Sequence, residues 1–238
     1  DSDAIQLAFD TVSEHSTLRF LNDRYRITKP ITVTKGYLDV KFDNVTFVWD
    51  GVGVLDSDGH GAIQFLGEVL PDRNFISNIA KSESDMTLSL LGSLDAYSVG
   101  DYVSLVIRSG THNGTYTDYK PTTATTAKIM DITGDVIKVD YISPFDYSKL
   151  TCDGWISPMV PLKGLKLGDV NFEYASTRVE TDRRVHCLSL AGCVDFEVGR
   201  VSANAFKNKG IRLTFCRDGL INGGWFTDPT ELSGGMGY

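Results

Sequence analysis

The chain has 238 residues, 42% of them hydrophobic and 23% charged, enough to bury a core in one domain or in one domain with an insertion. A formal net charge of −8 and a pI of about 5.0 set it against phosphate backbones and anionic surfaces, so no nucleic-acid partner and no membrane insertion are expected. No apolar run approaches the ~20 residues that span a bilayer. Cys152, Cys187, Cys193 and Cys216 are too sparse for a disulfide scaffold and match no zinc spacing, so free, packed thiols are expected.

In chain order, one helix comes first. Ser2 or Asp3 can cap it, and Ile5, Ala8, Phe9 and Val12 follow at helical spacing. Short β runs come next, at Leu18–Leu21, Tyr25–Ile27, Ile31–Val33, Tyr37–Val40 and Val45–Trp49, with polar or glycine-containing breaks. Strands this short and close suit a coil of β rungs. A doubly wound sheet would need helices of ~10–15 residues between them.

From about Leu94 to Leu150 the pattern differs. Asp101–Ile107 reads as a strand, Thr115–Thr126 as a solvated loop, and Lys128–Thr133, Gly134-Asp135 and Val136–Tyr141 as strand, tight turn and strand. This middle part is expected to be a small antiparallel β insertion. The division is then 1–94 for helix and first rungs, 95–150 for the insertion, and 151–238 for further rungs.

The last third repeats. Leu165, Leu188 and Ile211 recur every 23 residues, as do Leu167, Leu190 and Leu213, and Val170, Cys193 and Cys216. A period in this range marks a solenoid, whose unit buries its apolar face only when a neighbour stacks on it. Leu188, Leu190, Ile211 and Leu213 are expected inside, and Cys193 above Cys216 as free thiols. V-N-F-E at 170–173 and V-D-F-E at 194–197 alternate apolar with polar, as a strand with one face inward does. Leu232–Tyr238 reads as the start of another rung, so the chain is expected to continue.

Asp1–Phe9 (D-x-x-A-I-Q-x-A-F), Leu18–Leu21 and Tyr25–Ile27 resemble the opening of the pectate-lyase-like superfamily in its bacteriophage tailspike and tail-appendage form. Asn22-Asp23-Arg24 stands where that family usually has a proline- and glycine-containing turn. Val99–Val103 and the segment I-T-G-D-V-I-K-V-D-Y are similar to the β insertion of such phage proteins. The resemblance implies a right-handed single-stranded parallel β-helix with an N-terminal capping helix. It further implies a homotrimer in the virion tail, assembled in the host cytoplasm beside other tail proteins, with a bacterial surface polysaccharide as ligand. Lyases, hydrolases and non-enzymatic adhesins share the fold, so a free polysaccharide-cleaving enzyme and a purely structural tail protein stay open beside it.

Alternation sends Asn171, Glu173, Asp195 and Glu197 outward. If the two motifs stack, Glu173 lies over Glu197 at ~4.8 Å, and close carboxylates raise one another's proton affinity. Glycoside hydrolases need such a pair, so Glu173, Asp195 and Glu197 are the candidate catalytic residues, against the reading of a solvated face or subunit contact. Asn171, Arg200 and Trp225, the last in a loop after Gly223-Gly224, are candidates for binding substrate. His15, His60, His112 and His186 are scattered, and no phosphate or dinucleotide motif occurs, so no metal and no cofactor are expected.

Overall fold

The computed structural model describes residues 1–51, 61–109, 122–142, 152–175, 186–204 and 210–227. His60, His112, Arg183, Arg184 and the side chain of Cys152 lie outside them, as does the final segment 228–238. No helix is long and apolar enough to cross a membrane among the described residues.

The helix α1 is Ser2–Thr11, with Asp1 rather than Ser2 or Asp3 at its N-cap. It buries Ile5 and Phe9 at the spacing of one helical face. After it come β1 (Thr17–Leu21), β2 (Arg24–Ile27) and β3 (Ile31–Val33), then β4 (Asp39–Asp43), β5 (Thr46–Trp49) and β6 (Gly61–Leu66). The chain next enters a separate antiparallel unit: β7 (Glu68–Val69), β8 (Asn74–Lys81), β9 (Met86–Leu90), β10 (Tyr102–Ser109), β11 (Thr122–Thr133), β12 (Val136–Val139) and β13 (Cys152–Val160). It then resumes with β14 (Leu162–Lys163), β15 (Lys166–Leu167), β16 (Val170–Tyr174) and β17 (His186–Ala191). β18 (Cys193–Val198), β19 (Val201–Asn204), β20 (Ile211–Thr214), β21 (Arg217–Ile221) and β22 (Gly224–Thr227) follow.

Outside the antiparallel unit every strand pairing is parallel, in three sheets. The first holds β1, β4, β14, β15, β18 and β21; the second β2, β5, β16, β19 and β22; the third β3, β6, β17 and β20. The chain visits them in that order on each turn, so a strand pairs with its counterpart one turn away. Phe20, Phe42, Phe47 and Phe172 line the interior, with ring centroids 5.6–6.0 Å apart within and between turns. Each such burial contributes about 1.5–3 kcal/mol.

The 23-residue step holds between the last turns: Leu188 pairs with Ile211, Leu190 with Leu213, Val194 with Arg217 and Val201 with Gly224. One turn earlier the step is 31, as in Val170 with Val201. Leu165 and Leu167 therefore do not stack on Leu188 and Leu190, whose other neighbours are Ile63 and Phe65 in β6. The extra length falls between β16 and β17. Leu188 and Leu190 are buried as expected and Ile211 partly so. Leu213 is not: it is 49% exposed, because no described strand stacks beyond β20.

One corner recurs in every turn. His15, Tyr37, Gly164, Asp195 and Asp218 all have left-handed backbone, with φ of 59°, 54°, 63°, 56° and 52°. The sheet register carries each onto the next. The His15 and Tyr37 rings stack at 4.6 Å, and the Tyr37 ring lies over Gly164.

Side chains of α1 meet the backbone of the first turn. The Arg26 N–H donates to the Asp1 carboxylate at 2.8 Å and the Thr28 N–H to the Ser2 hydroxyl at 2.8 Å. Gln6 pairs with Thr32 as a strand would, its Oε1 accepting from the Thr32 N–H and its Nε2 donating to the Thr32 carbonyl, both at 2.8 Å. Backbone groups on an unpaired strand edge are thereby satisfied.

The antiparallel unit runs Glu68–Pro161 and has its own core, including Met86, Leu88, Val103, Leu105, Ile129 and Ile137. Its sheet order is β10-β11-β12-β9-β8-β13, and a β10–β13 pairing closes it into a barrel, with β7 added on β13. It takes in more than 95–150, because β7 pairs antiparallel with β13, and β8 with β9 and β13. Thr122–Thr126 belongs to β11 rather than to a loop. Within the parallel unit, the residues flanking this excursion are neighbours: the Gly67 N–H donates to the Ala191 carbonyl at 2.7 Å and the Leu162 N–H to the Gly192 carbonyl at 3.0 Å.

Candidate functional site

The second sheet alternates cleanly. Tyr25, Phe47, Phe172, Ala203 and Phe226 form one register column on its inner side. The positions between them face out in two columns. Arg24, Thr46, Asn171, Ser202 and Trp225 make one, and Arg26, Val48, Glu173 and Asn204 the other. A period of two and a parallel register put residues far apart in sequence on one face.

A shallow groove of about 260 Å³ opens on this face, lined by Thr46, Asn171, Glu173, Ser202, Asn204 and Trp225. The Asn171 amide is fixed from both ends: Nδ2 donates to the Val45 carbonyl at 3.2 Å, and Oδ1 accepts from the Ser202 hydroxyl. Trp225 is 75% exposed on β22. It belongs to a strand, not to the loop expected after Gly223-Gly224, so the sheet itself presents its indole.

Glu173 accepts a two-pronged ion pair from Arg24, with Nη1 to Oε1 at 2.9 Å and Nη2 to Oε2 at 2.5 Å. The hydrogen bonds from Arg24 hold the Glu173 carboxyl below its ordinary range, with burial opposing and the charge of Arg24 adding to them. Glu173 is therefore a carboxylate, the reverse of the raised proton affinity expected from stacking on Glu197. Its register neighbours are Val48 and Asn204.

Glu197 stands in a different sheet. Its register partners are Lys166 and Leu220, and Lys166 in turn pairs with Asp39, so charges alternate along that column. The Asn222 amide also reaches Glu197, at 3.4 Å. Asp195, on the same strand, occupies the left-handed corner, a conformation that Asp tolerates better than most residues. V-N-F-E and V-D-F-E thus do not stack: they run in neighbouring sheets of one coil, and the three carboxylates do not converge. Arg200 lies between β18 and β19. Its backbone N–H and guanidinium all bind Asp169, at 2.8, 3.0 and 2.8 Å, and these bonds lower the Asp169 pKa.

Of the six candidates, the groove gathers Asn171, Glu173 and Trp225. It adds Thr46, Ser202 and Asn204, which sequence reasoning missed, with Arg24 beside them. A signal was present for two of these: Gly168-Asp169-Val170 and Gly199-Arg200-Val201 share a G-x-V pattern that aligns β16 with β19 at the step of 31. Among the described residues no three His, Cys, Asp or Glu side chains cluster as metal ligands would.

No family model matches the chain, and no curated protein matches it. Solved structures share its fold. The tailspike of Acinetobacter baumannii bacteriophage AP22, solved in complex with A. baumannii capsular saccharide, aligns over 94% of this chain with a TM-score of 0.56 and 12% identity. The tailspike protein of Pseudomonas phage LKA1 aligns over 93%, with a TM-score of 0.50 and 14% identity. The chain spans 43% and 39% of the length of those two proteins. It is an all-β chain with the parallel-sheet fold of these tailspikes and a small antiparallel barrel.

Proposed function

We propose that this chain is part of a phage tailspike that recognises a bacterial surface polysaccharide on the outer face of the second sheet. The observation that carries this reading is the groove there, where Trp225 stands beside fixed hydroxyl and amide groups. Sugars are held in this way, with an aromatic ring against the apolar face of the pyranose and neutral polar groups against its hydroxyls. One of the tailspikes that share the fold was solved with a capsular saccharide, which supports the same ligand class.

The reading includes a right-handed coil of the pectate-lyase-like type with α1 as its N-terminal cap. It also includes a homotrimer, other tail proteins as neighbours, and a place in the virion after assembly in the host cytoplasm. Recognition is favoured over cleavage. The groove's one carboxylate among the described residues, Glu173, is already paired, whereas glycoside hydrolysis needs two carboxyl groups at a working separation. The test is retention of the protein on a panel of immobilised capsular and O-antigen polysaccharides, with assay of released oligosaccharides. Retention on at least one, weakened about tenfold in Trp225→Ala, is expected. No retention on any would overturn the reading.

A further inference from the structure

We propose that the groove on the second sheet takes an uncharged sugar unit and that the Arg24–Glu173 pair excludes acidic ones. This rests on the polysaccharide reading above and adds the class of sugar.

Charge and hydrogen-bonding chemistry together select the ligand. Thr46, Asn171, Ser202 and Asn204 supply hydroxyls and amides, which both donate and accept and so match sugar hydroxyls and acetamido groups. No Lys, Arg or His is among the described residues lining the groove. The nearby cation, Arg24, has its planar fork spent on Glu173, its two terminal nitrogens each meeting one carboxylate oxygen. Glu173 itself lines the groove. An incoming uronate or sialate carboxylate would find no cation among the described lining residues and a like charge in place, or would have to break the existing pair. An uncharged unit meets neither obstacle. It can lie against Trp225 and bond Asn171, whose amide is already held in position by Val45 and Ser202.

The probes are bacterial surface polysaccharides of known repeat unit, divided into an uncharged set and a uronate- or sialate-bearing set, immobilised and presented to the whole chain. Retention confined to the uncharged set, and weakened about tenfold in Trp225→Ala, is the expected result. Glu173→Gln keeps the shape of the side chain while releasing Arg24, and should raise retention on the acidic set by roughly tenfold. Unchanged far-ultraviolet circular dichroism and melting temperature certify the fold of each variant. Wild-type retention on the acidic set that Trp225→Ala abolishes would overturn the inference while leaving the polysaccharide reading intact. So would a Glu173→Gln variant with no gain on that set. No retention on either set would remove both, and retention indifferent to Trp225→Ala would remove this groove as the site.

Discussion

Gly164 and Asp195 occupy the same corner of successive turns, and their left-handed backbone constrains what can stand there. A Cβ on Gly164 would come within 2.6 Å of the Tyr37 ring in addition to the backbone strain. Gly164→Ala should therefore cost about 1–3 kcal/mol in denaturant unfolding. At Asp195 the same reasoning gives opposite signs for two small residues: Asp195→Gly should hold or raise stability, and Asp195→Ala should lower it by roughly 1 kcal/mol. A catalytic Asp195 would instead lose activity equally in both. The Arg24–Glu173 pair makes a prediction in pH. The Glu173 pKa is depressed in the folded chain, so the stability it adds is fully present above the ordinary carboxylate range and fades as pH falls through its lowered value. The gap in melting temperature between wild type and Arg24→Ala should be open at neutral pH and close in acid. A gap that widened on acidification would contradict the pairing. Sequence alone could place Asn171 and Glu173 on outward strand positions, because a period of two is local information, whereas Gly223-Gly224 set Trp225 in a loop. It could not place Arg24 beside Glu173, since the register joining them through β5 closes only after the chain has passed through Glu68–Pro161.

At the scale of elements, α1 and the strands of the first turns were legible because helical and alternating periods show within ten residues. The 23-residue step was legible where it occurs, in β17 to β22. It misled one turn earlier, where the true step is 31, and so set V-N-F-E over the wrong strand. The stacking of Cys193 and Cys216 belongs to the part that was legible. The β18–β21 register sets the two on adjacent strands, and the influence of each thiol on the other raises the Cys193 pKa and lowers that of Cys216. Both are free, as is Cys187, whose thiol burial pushes up to about 12. Thiol titration of denatured, unreduced protein should find all four cysteines reactive, and two missing would mean a bond between the stacked pair. For α1 the decisive contact is Gln6 on Thr32. Gln6→Ala leaves a backbone N–H and carbonyl without these partners, and should cost about 1–3 kcal/mol in thermal or urea unfolding, against near neutrality for a change at exposed Glu14.

The described residues form two cores that share no residue, one inside the three parallel sheets and one inside the barrel. The sequence marked the second as an interruption, because the repeat fails there, but its start was hidden because β8 and β9 precede the point where that failure was read. Gly67 and Leu162 show what kind of interruption it is. In register with the uninterrupted corner Ala191-Gly192-Cys193 stand Leu66, Gly67 and Leu162, so three residues drawn from both sides of the barrel do the work of three consecutive ones. The coil therefore already contains the join that would remain if Glu68–Pro161 were cut out. A chain with Gly67 linked directly to Leu162 should fold to a cooperative β protein that keeps the Trp225 groove, seen as a single melting transition and unchanged polysaccharide retention. By the same geometry this corner is a docking port in the primary structure: other domains whose termini lie as close together could be spliced in there without disturbing a single rung.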